Sequence, residues 1–386
     1  MGFWPWPVIQ WFKGARQLGA RCFGLSLLLI GCLLFSLRLG AAVGPATTGA
    51  AVGSPADRKT LADSIKEVPI GPQPTLSNGH TAAHITRTAL QSNEENAEME
   101  FGVSLKMRNF SELQSRLNRG ELISPAEMAA KYLPLADDYN ATADWLQKQG
   151  LTLVPNSGGL VVFARGTVAQ VRDAFQVSFA RVANDDGEFT SAITAPSVPA
   201  TLAPAIIGVN GLQPHLRKHP RLVARPDSAT SFATPYYPKD IMHAYGANTL
   251  TQTGAGQTIA IVMDAFPSST DLTTFWKDCS IAQTTANIAN VTVGSGPTGT
   301  DSDGYEEVCL DTEWSSSIAP AAKVRVYGVT SLDDSPLDEA YQQIYTDATG
   351  NIAPSLHVLS LSFGGPEEAP AQTQTDDNLF AQLASA

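Results

Sequence analysis

The 386-residue chain carries 25 Lys and Arg against 37 Asp and Glu, a formal net charge of -12, with 43% hydrophobic and 16% charged residues. That composition can fill more than one core, which excludes a disordered acidic chain, and its acidity excludes nucleic acid as a partner because nothing would neutralise a run of phosphates. The charge is unevenly spread: residues 264–386 hold 18 acidic side chains and only 3 basic ones, Lys277, Lys323 and Arg325.

Residues 1–42 read as an export signal: Lys13, Arg16 and Arg21, then the apolar run Cys22 to Leu37, then the small residues Gly40, Ala41 and Ala42. A retained anchor and a lipoprotein signal at Cys32 are the competing readings. The run of 16 residues is short for a stable membrane span, and it continues past Cys32. Export predicts a secreted or extracytoplasmic protein, in which Cys279 and Cys309 remain as an even pair and a candidate disulfide, or as two buried thiols. Residues 43–97, rich in Ala, Gly, Pro, Ser and Thr, read as a flexible leader.

Residues 98–214 read as a small α+β domain. Met99, Phe101, Val103, Leu105 and Met107 alternate with polar residues and predict a half-buried strand. Phe110, Leu113 and Leu117 recur at helical spacing, Ser124-Pro125-Ala126-Glu127 opens a second helix, and a third, with Trp145 and Leu146, stops at Gly150. Strands over 151–154 and 160–164 follow, then a helix capped by Thr167 and Gln170, then a strand around Val177, Phe179 and Val182 that closes the unit. This order predicts a ferredoxin-like arrangement, with no catalytic cluster inside it. Residues 215–230, basic and proline-rich from His215 to Pro226, predict an exposed linker open to processing.

Beyond residue 231 strand and helix alternate: strands at 259–263, 324–327 and 358–361, helices around Trp276 and from Leu337 to Thr346. That pattern predicts a parallel sheet with helices on it, whose ligands gather at the carboxyl ends of the strands. The informative stretch is Glu306 to Trp314. Drawn as a helix, it puts Glu307 and Asp311 one turn apart inside an arc shared with Leu310 and Trp314, while Glu306 and Glu313 point away. Paired carboxylates that share a proton suit general acid-base chemistry; a solvated acidic face with tolerated repulsion is the other reading.

Glu307-Val308-Cys309-Leu310-Asp311, Ile318-Ala319-Pro320-Ala321-Ala322 and Ser360-Leu361-Ser362-Phe363-Gly364-Gly365-Pro366-Glu367 resemble motifs of the sedolisin family of serine-carboxyl peptidases, and residues 98–214 resemble its pro-kumamolisin activation domain. The resemblance implies a subtilisin-like α/β catalytic domain, present here in part from 231 to 386. It implies Glu307 as general base, Asp311 orienting it, and Ser362, Phe363 and Gly364 bordering the substrate cleft. It also implies protein or peptide substrates, the chain's own prodomain as intramolecular inhibitor, and a calcium ion whose site lies beyond residue 386. The family's nucleophile sits in a Gly-Thr-Ser motif, and none occurs in these 386 residues. The expectation is therefore a peptidase precursor inactive as this chain alone. The alternative is a non-catalytic exported binder or inhibitor of a related peptidase. A true subtilisin relative using Asp264 would need a His-Gly motif soon after, which is absent.

Overall fold

The computed structural model describes residues 57–70, 85–156, 158–220, 236–298 and 302–386. The export signal and residues 221–235, with most of the expected processing stretch, lie outside the described residues, as do Gly299-Thr300-Asp301.

In the front half, β1 (Glu98–Leu105) is followed by α1 (Phe110–Leu117) and α2 (Ala136–Lys148), then by β2 (Thr152–Leu153), β3 (Val161–Thr167) and α3 (Val168–Phe175). A hairpin of β4 (Phe179–Asn184) and β5 (Gly187–Ala192) precedes β6 (Ile206–Asn210). The antiparallel sheet has the order β2-β3-β1-β6, with Phe101 opposite Ala164 and Val103 opposite Val209. The period-two pattern of β1 explains its place at the centre: Phe101, Val103 and Leu105 enter a core in which Phe175 packs edge-on against Phe101 (5.3 Å between centroids) and Trp145 (5.2 Å).

The strand expected to close this sheet does not. β4 pairs with β5 and with Thr86–Thr88 in a separate sheet, and the closing place belongs to β6. The Ile206-Ile207-Gly208-Val209 run lacks alternation because it is buried on both faces, so it carries no period-two signal. The described part of the leader is also more ordered than its composition suggests. Arg58–Thr60 pairs with Ser197–Pro199, Leu61 and Val68 are buried, and Ser64 Oγ accepts from the Val209 amide.

α3 is closed at its start by reciprocal bonds: the Gln170 amide donates to Thr167 Oγ1 (3.2 Å) and the Thr167 amide to Gln170 Oε1 (2.8 Å). Thr167→Ala should lower stability by about 1 kcal/mol, read as a shift of the urea midpoint at constant slope. An unchanged midpoint would mean that tertiary packing alone holds the helix.

The back half is a parallel sheet. β7 (His219–Pro220) and α4 (Pro238–Ala244) lead into β8 (Thr258–Met263), α5 (Ser269–Asp278), β9 (Ile288–Thr292), α6 (Ser302–Ile318), β10 (Lys323–Gly328), α7 (Asp334–Thr349), β11 (Leu356–Ser360), β12 (Phe363–Gly364) and α8 (Pro370–Ala384). The strand order is β9-β10-β8-β11, all parallel, as expected for strands separated by helices. β8 lies inside the sheet, and all six of its residues are buried.

α7 and α8 pack together and contact strands of the front sheet, α7 on β1 and β3 and α8 on β6. Where β6 meets α8, a side chain on Gly208 would meet Ala371 Cβ at 2.5 Å, so only glycine lets the backbone of β6 sit this close to α8.

Candidate active site

One carboxylate stands where β8 ends, and two more lie on the early turns of α6. Asp264, the residue after β8, is buried, and its Oδ1 lies 2.2 Å from where a Cβ on Gly304 would stand. Gly304 thus lets the first turn of α6 close over that carboxyl group. One turn on, Glu307 is only 4% exposed, and Asp311 follows at half-buried depth. Ser362, beyond the end of β11, donates its hydroxyl to Asp311 Oδ1 at 2.8 Å. Burial pushes the Asp311 carboxyl up to about 6; the Ser362 hydrogen bond works against that rise and the charge of Glu307 adds to it. These groups sit at the carboxyl ends of β8 and β11, the place where ligands gather in parallel sheets.

α6 forms as expected, but rolled relative to the helical drawing. Leu310 is 36% exposed, and the buried face runs through Val308, Thr312 and Ser316. A short hydroxyl side chain can sit on a buried helix face when it bonds locally, as Ser316 does. Ser316 Oγ donates back to the Thr312 carbonyl and accepts from Trp276 Nε1 at 3.0 Å. Trp314 turns to α5 instead, 6.1 Å from the Phe275 ring. The roll keeps Glu307 inside and leaves Asp311 at the boundary.

The strand expected to border the cleft is paired. β12 pairs antiparallel with β7, Gly364 opposite His219 and Phe363 opposite Pro220, so the stretch before the undescribed segment lies across the back half as an added strand. The expectation of an exposed linker fails for its described part. His215 is buried with Nδ1 2.9 Å from Ser191 Oγ, and the Lys218 side chain is 13% exposed between Asp334 and Glu368. Opposite charge on the back half draws in a segment whose composition alone suggests solvent.

The two cysteines are unbonded. Cys309 lies against Ser268, which caps the start of α5, and against Tyr305; Cys279 caps the other end of α5. A ten-residue helix spans about 15 Å, beyond the reach of a disulfide. Burial pushes both thiols above their ordinary value. Among the described residues no group of three or more His, Cys, Asp or Glu is placed to hold a metal.

Several other carboxyls share the upward shift of Asp311. Glu313 rises to about 7 through burial and the charge of Asp271, and Glu339 to about 7 through burial and the charge of Glu100. Asp338, buried beside Asn210 of β6, and the half-buried Asp376 are raised by burial and by neighbouring carboxylates. A carboxyl raised in the folded state binds more protons there than when unfolded. Its stabilisation is full below the unfolded value near pH 4 and is lost as pH climbs through the folded value. The melting temperature should therefore fall by at least ~5 °C from pH 4.5 to pH 8, and Asp338→Asn should flatten the decline. A melting temperature that rises over that range would contradict these shifts.

Residues 87–214 match the family model described as the pro-kumamolisin activation domain. Kumamolisin of Bacillus sp. (strain MN-32) is 28% identical over 307 residues, 73% of this chain and 54% of that protein. Xanthomonalisin of Xanthomonas sp. (strain T-22) is 26% identical over 373 residues, 87% of this chain and 44% of that protein. The chain thus spans about half the length of the curated relatives it matches. A solved structure of fervidolysin from Fervidobacterium pennivorans, a keratinolytic enzyme related to subtilisin, covers 76% of this chain and 40% of its own. Its TM-score of 0.31 at 11% identity carries no weight for the fold. The activation-domain match in front and these two relatives across most of the chain support its likeness to the sedolisin family.

Proposed function

We propose that this chain is the front of an exported serine-carboxyl endopeptidase precursor, in which Glu307 is the general base, Asp311 positions it, and the prodomain blocks its own cleft. The observation that carries this reading is the meeting of a carboxylate pair, Glu307 buried and Asp311 half-buried, with a strand that already holds an extended segment, His219–Pro220 on Phe363–Gly364. A peptide substrate would take the same antiparallel place on Phe363–Gly364, held by main-chain hydrogen bonds that any sequence can make.

Glu307 accepts the proton of a serine hydroxyl as it attacks the peptide carbonyl, then returns it to the leaving amine. Asp311 is protonated below about pH 6, so it offers Glu307 a hydrogen bond instead of a second negative charge. Ser362 fixes Asp311 Oδ1, and Oδ2, with no hydrogen-bond partner among the described residues, is the atom left to carry the proton. Above that pH both carboxylates ionise and repel, so hydrolysis is an acid activity.

The finer fold readings belong to the same proposal. The strand order β6-β1-β3-β2 supports a ferredoxin-like front unit with Ile206–Asn210 as its fourth strand, and the parallel back sheet supports a subtilisin-like half. The secreted or extracytoplasmic location rests on residues 1–42. Among the described residues no helix is long and apolar enough to cross a membrane.

Reading the coding sequence beyond Ala386 tests the proposal. A Gly-Thr-Ser motif should follow, in the same frame or a shifted one, and the completed product should hydrolyse peptides at acid pH. The 386-residue chain alone should hydrolyse none between pH 3 and pH 8. Hydrolysis by this chain that disappears in Glu307→Ala would overturn its inactivity, and a completed product with no acid activity would overturn the peptidase reading.

A further inference from the structure

The linker shows what kind of side chain the cleft accepts. Its backbone follows the cleft strand residue by residue: Pro220 stands opposite Phe363 and His219 opposite Gly364. One step back, Lys218 Cα lies 3.2 Å from where a Cβ on Gly365 would be, a separation that glycine permits. From that position the Lys218 side chain enters a pocket. Its ammonium lies 2.9 Å from Asp334 Oδ1 and also bonds to Glu368 Oε1, and the flanking carboxylates hold it in the charged form.

The acidic walls of this pocket belong to the back half. Asp334 begins α7, Glu368 lies in the loop that follows the cleft strand, and Gln372 is in the first turn of α8. Asn210, Gln213 and Leu216 of the front half line a small cavity next to it, together with Asp334, Glu368 and Gln372. The cations acting on the acidic residues come from the linker: Lys218 on Asp334, Asp338 and Asp376, and Arg217, Lys218 and His219 on Asp333. The three basic residues of 264–386 supply none of them, and Arg325 is engaged with Asp347. Gln372, 2% exposed and lining that cavity, leaves its Oε1 without a hydrogen-bond partner among the described residues. This is a desolvated negative pocket whose cation arrives on the segment that occupies the cleft. In an extended strand alternate side chains share a face, so the residue at this register always turns to the same wall.

We infer that Asp334 and Glu368 form a specificity subsite that selects Lys or Arg on the bound peptide, two residues before the one opposite Phe363. The inference rests on the reading of Phe363–Gly364 as the substrate strand and deepens it: the preferred substrates are peptides with a basic residue at that register. Lys218 occupies the subsite in the uncleaved chain as a substrate residue would.

The test uses the full chain with Lys218→Ala, which weakens the internal occupant. A fluorescent peptide Leu-Arg-Lys-His-Pro-Arg, the sequence of residues 216–221, is compared by anisotropy with analogues carrying Ala or Glu in place of its lysine. The lysine peptide should bind at least tenfold tighter than the alanine peptide, and the glutamate peptide more weakly still. Adding Asp334→Asn and Glu368→Gln should reduce the lysine preference below twofold. Glu368→Gln alone, the milder change, should at least halve it. Equal binding of the lysine and alanine peptides, no binding of any, or a preference untouched by the pocket substitutions overturns the inference. The assay needs no turnover, so the two readings fail separately. Lysine selection by this chain with no hydrolysis by the completed product sinks the peptidase reading, and acid hydrolysis without lysine selection sinks the subsite.

Discussion

Glu307→Gln in the completed enzyme should lower kcat for a peptide substrate about 1000-fold and leave KM within a few-fold, because a general base acts in the transition state and not on ground-state binding. Glutamine has nearly the same shape and fills the same buried volume, but its amide cannot take the serine proton. Glu307 is buried, so no water replaces it readily. Glu306, one residue earlier on the same helix, is exposed, and Glu306→Gln should change nothing measurable. Asp311→Asn should cost roughly 10- to 100-fold. It should also alter the fall of activity near pH 6, because asparagine can orient Glu307 but does not titrate. Initial rates on one fluorogenic peptide from pH 3 to pH 7 give all three results. Retention of more than a third of wild-type kcat by Glu307→Gln would remove it from the chemistry.

The second large effect lies behind the site. Asp347, 1% exposed at the end of α7, accepts from Arg325 Nη2 (2.8 Å), Tyr327 Oη (2.9 Å) and Gln343 Nε2 (2.7 Å). Arg325→Leu should cost about 3–5 kcal/mol, since it leaves a carboxylate buried with neutral partners only. Joining it with Asp347→Leu should recover much of that loss, because apolar residues of similar volume tolerate a site from which both charges have gone. Urea unfolding of the two single variants and the double variant measures the coupling. A double variant as unstable as the sum of the singles would mean that packing, not charge, holds the end of α7 to β10. The same helix begins at Asp334, so its seat on the sheet also sets where the acidic subsite lies.

Much of the architecture was legible along the chain. β1, β8 and β10 announce themselves by alternation or by short apolar runs, and α3 by the Thr167-Gln170 box, because those signals arise within a few residues. The carboxylate pair was legible for the same reason: four residues of helix place Glu307 and Asp311 on one side wherever the helix lies. The roll of α6 was not. Which arc of a weakly amphipathic helix turns inward depends on its neighbours, and Trp276 and the close approach of Asp264 to Gly304 select the Thr312-Ser316 face over Leu310.

The cysteines and the linker teach the same lesson. Cys279 and Cys309 look pairable in sequence, but the two ends of α5 hold them apart. Residues 215–220 look like a solvated tether, but the basic side chains of one half meet a carboxylate-rich wall contributed by residues more than a hundred positions away. By itself the sequence determined the element types, the acidic bias of the back half and the identity of the carboxylate pair, all consequences of local periodicity and composition. Only the tertiary structure decided which face of α6 is buried, that Ile206–Asn210 closes the front sheet, and that Lys218 lies between Asp334 and Glu368 beside β12. Those outcomes depend on which distant surfaces meet, and burial and charge pairing between such surfaces have no signature in any short window of the chain.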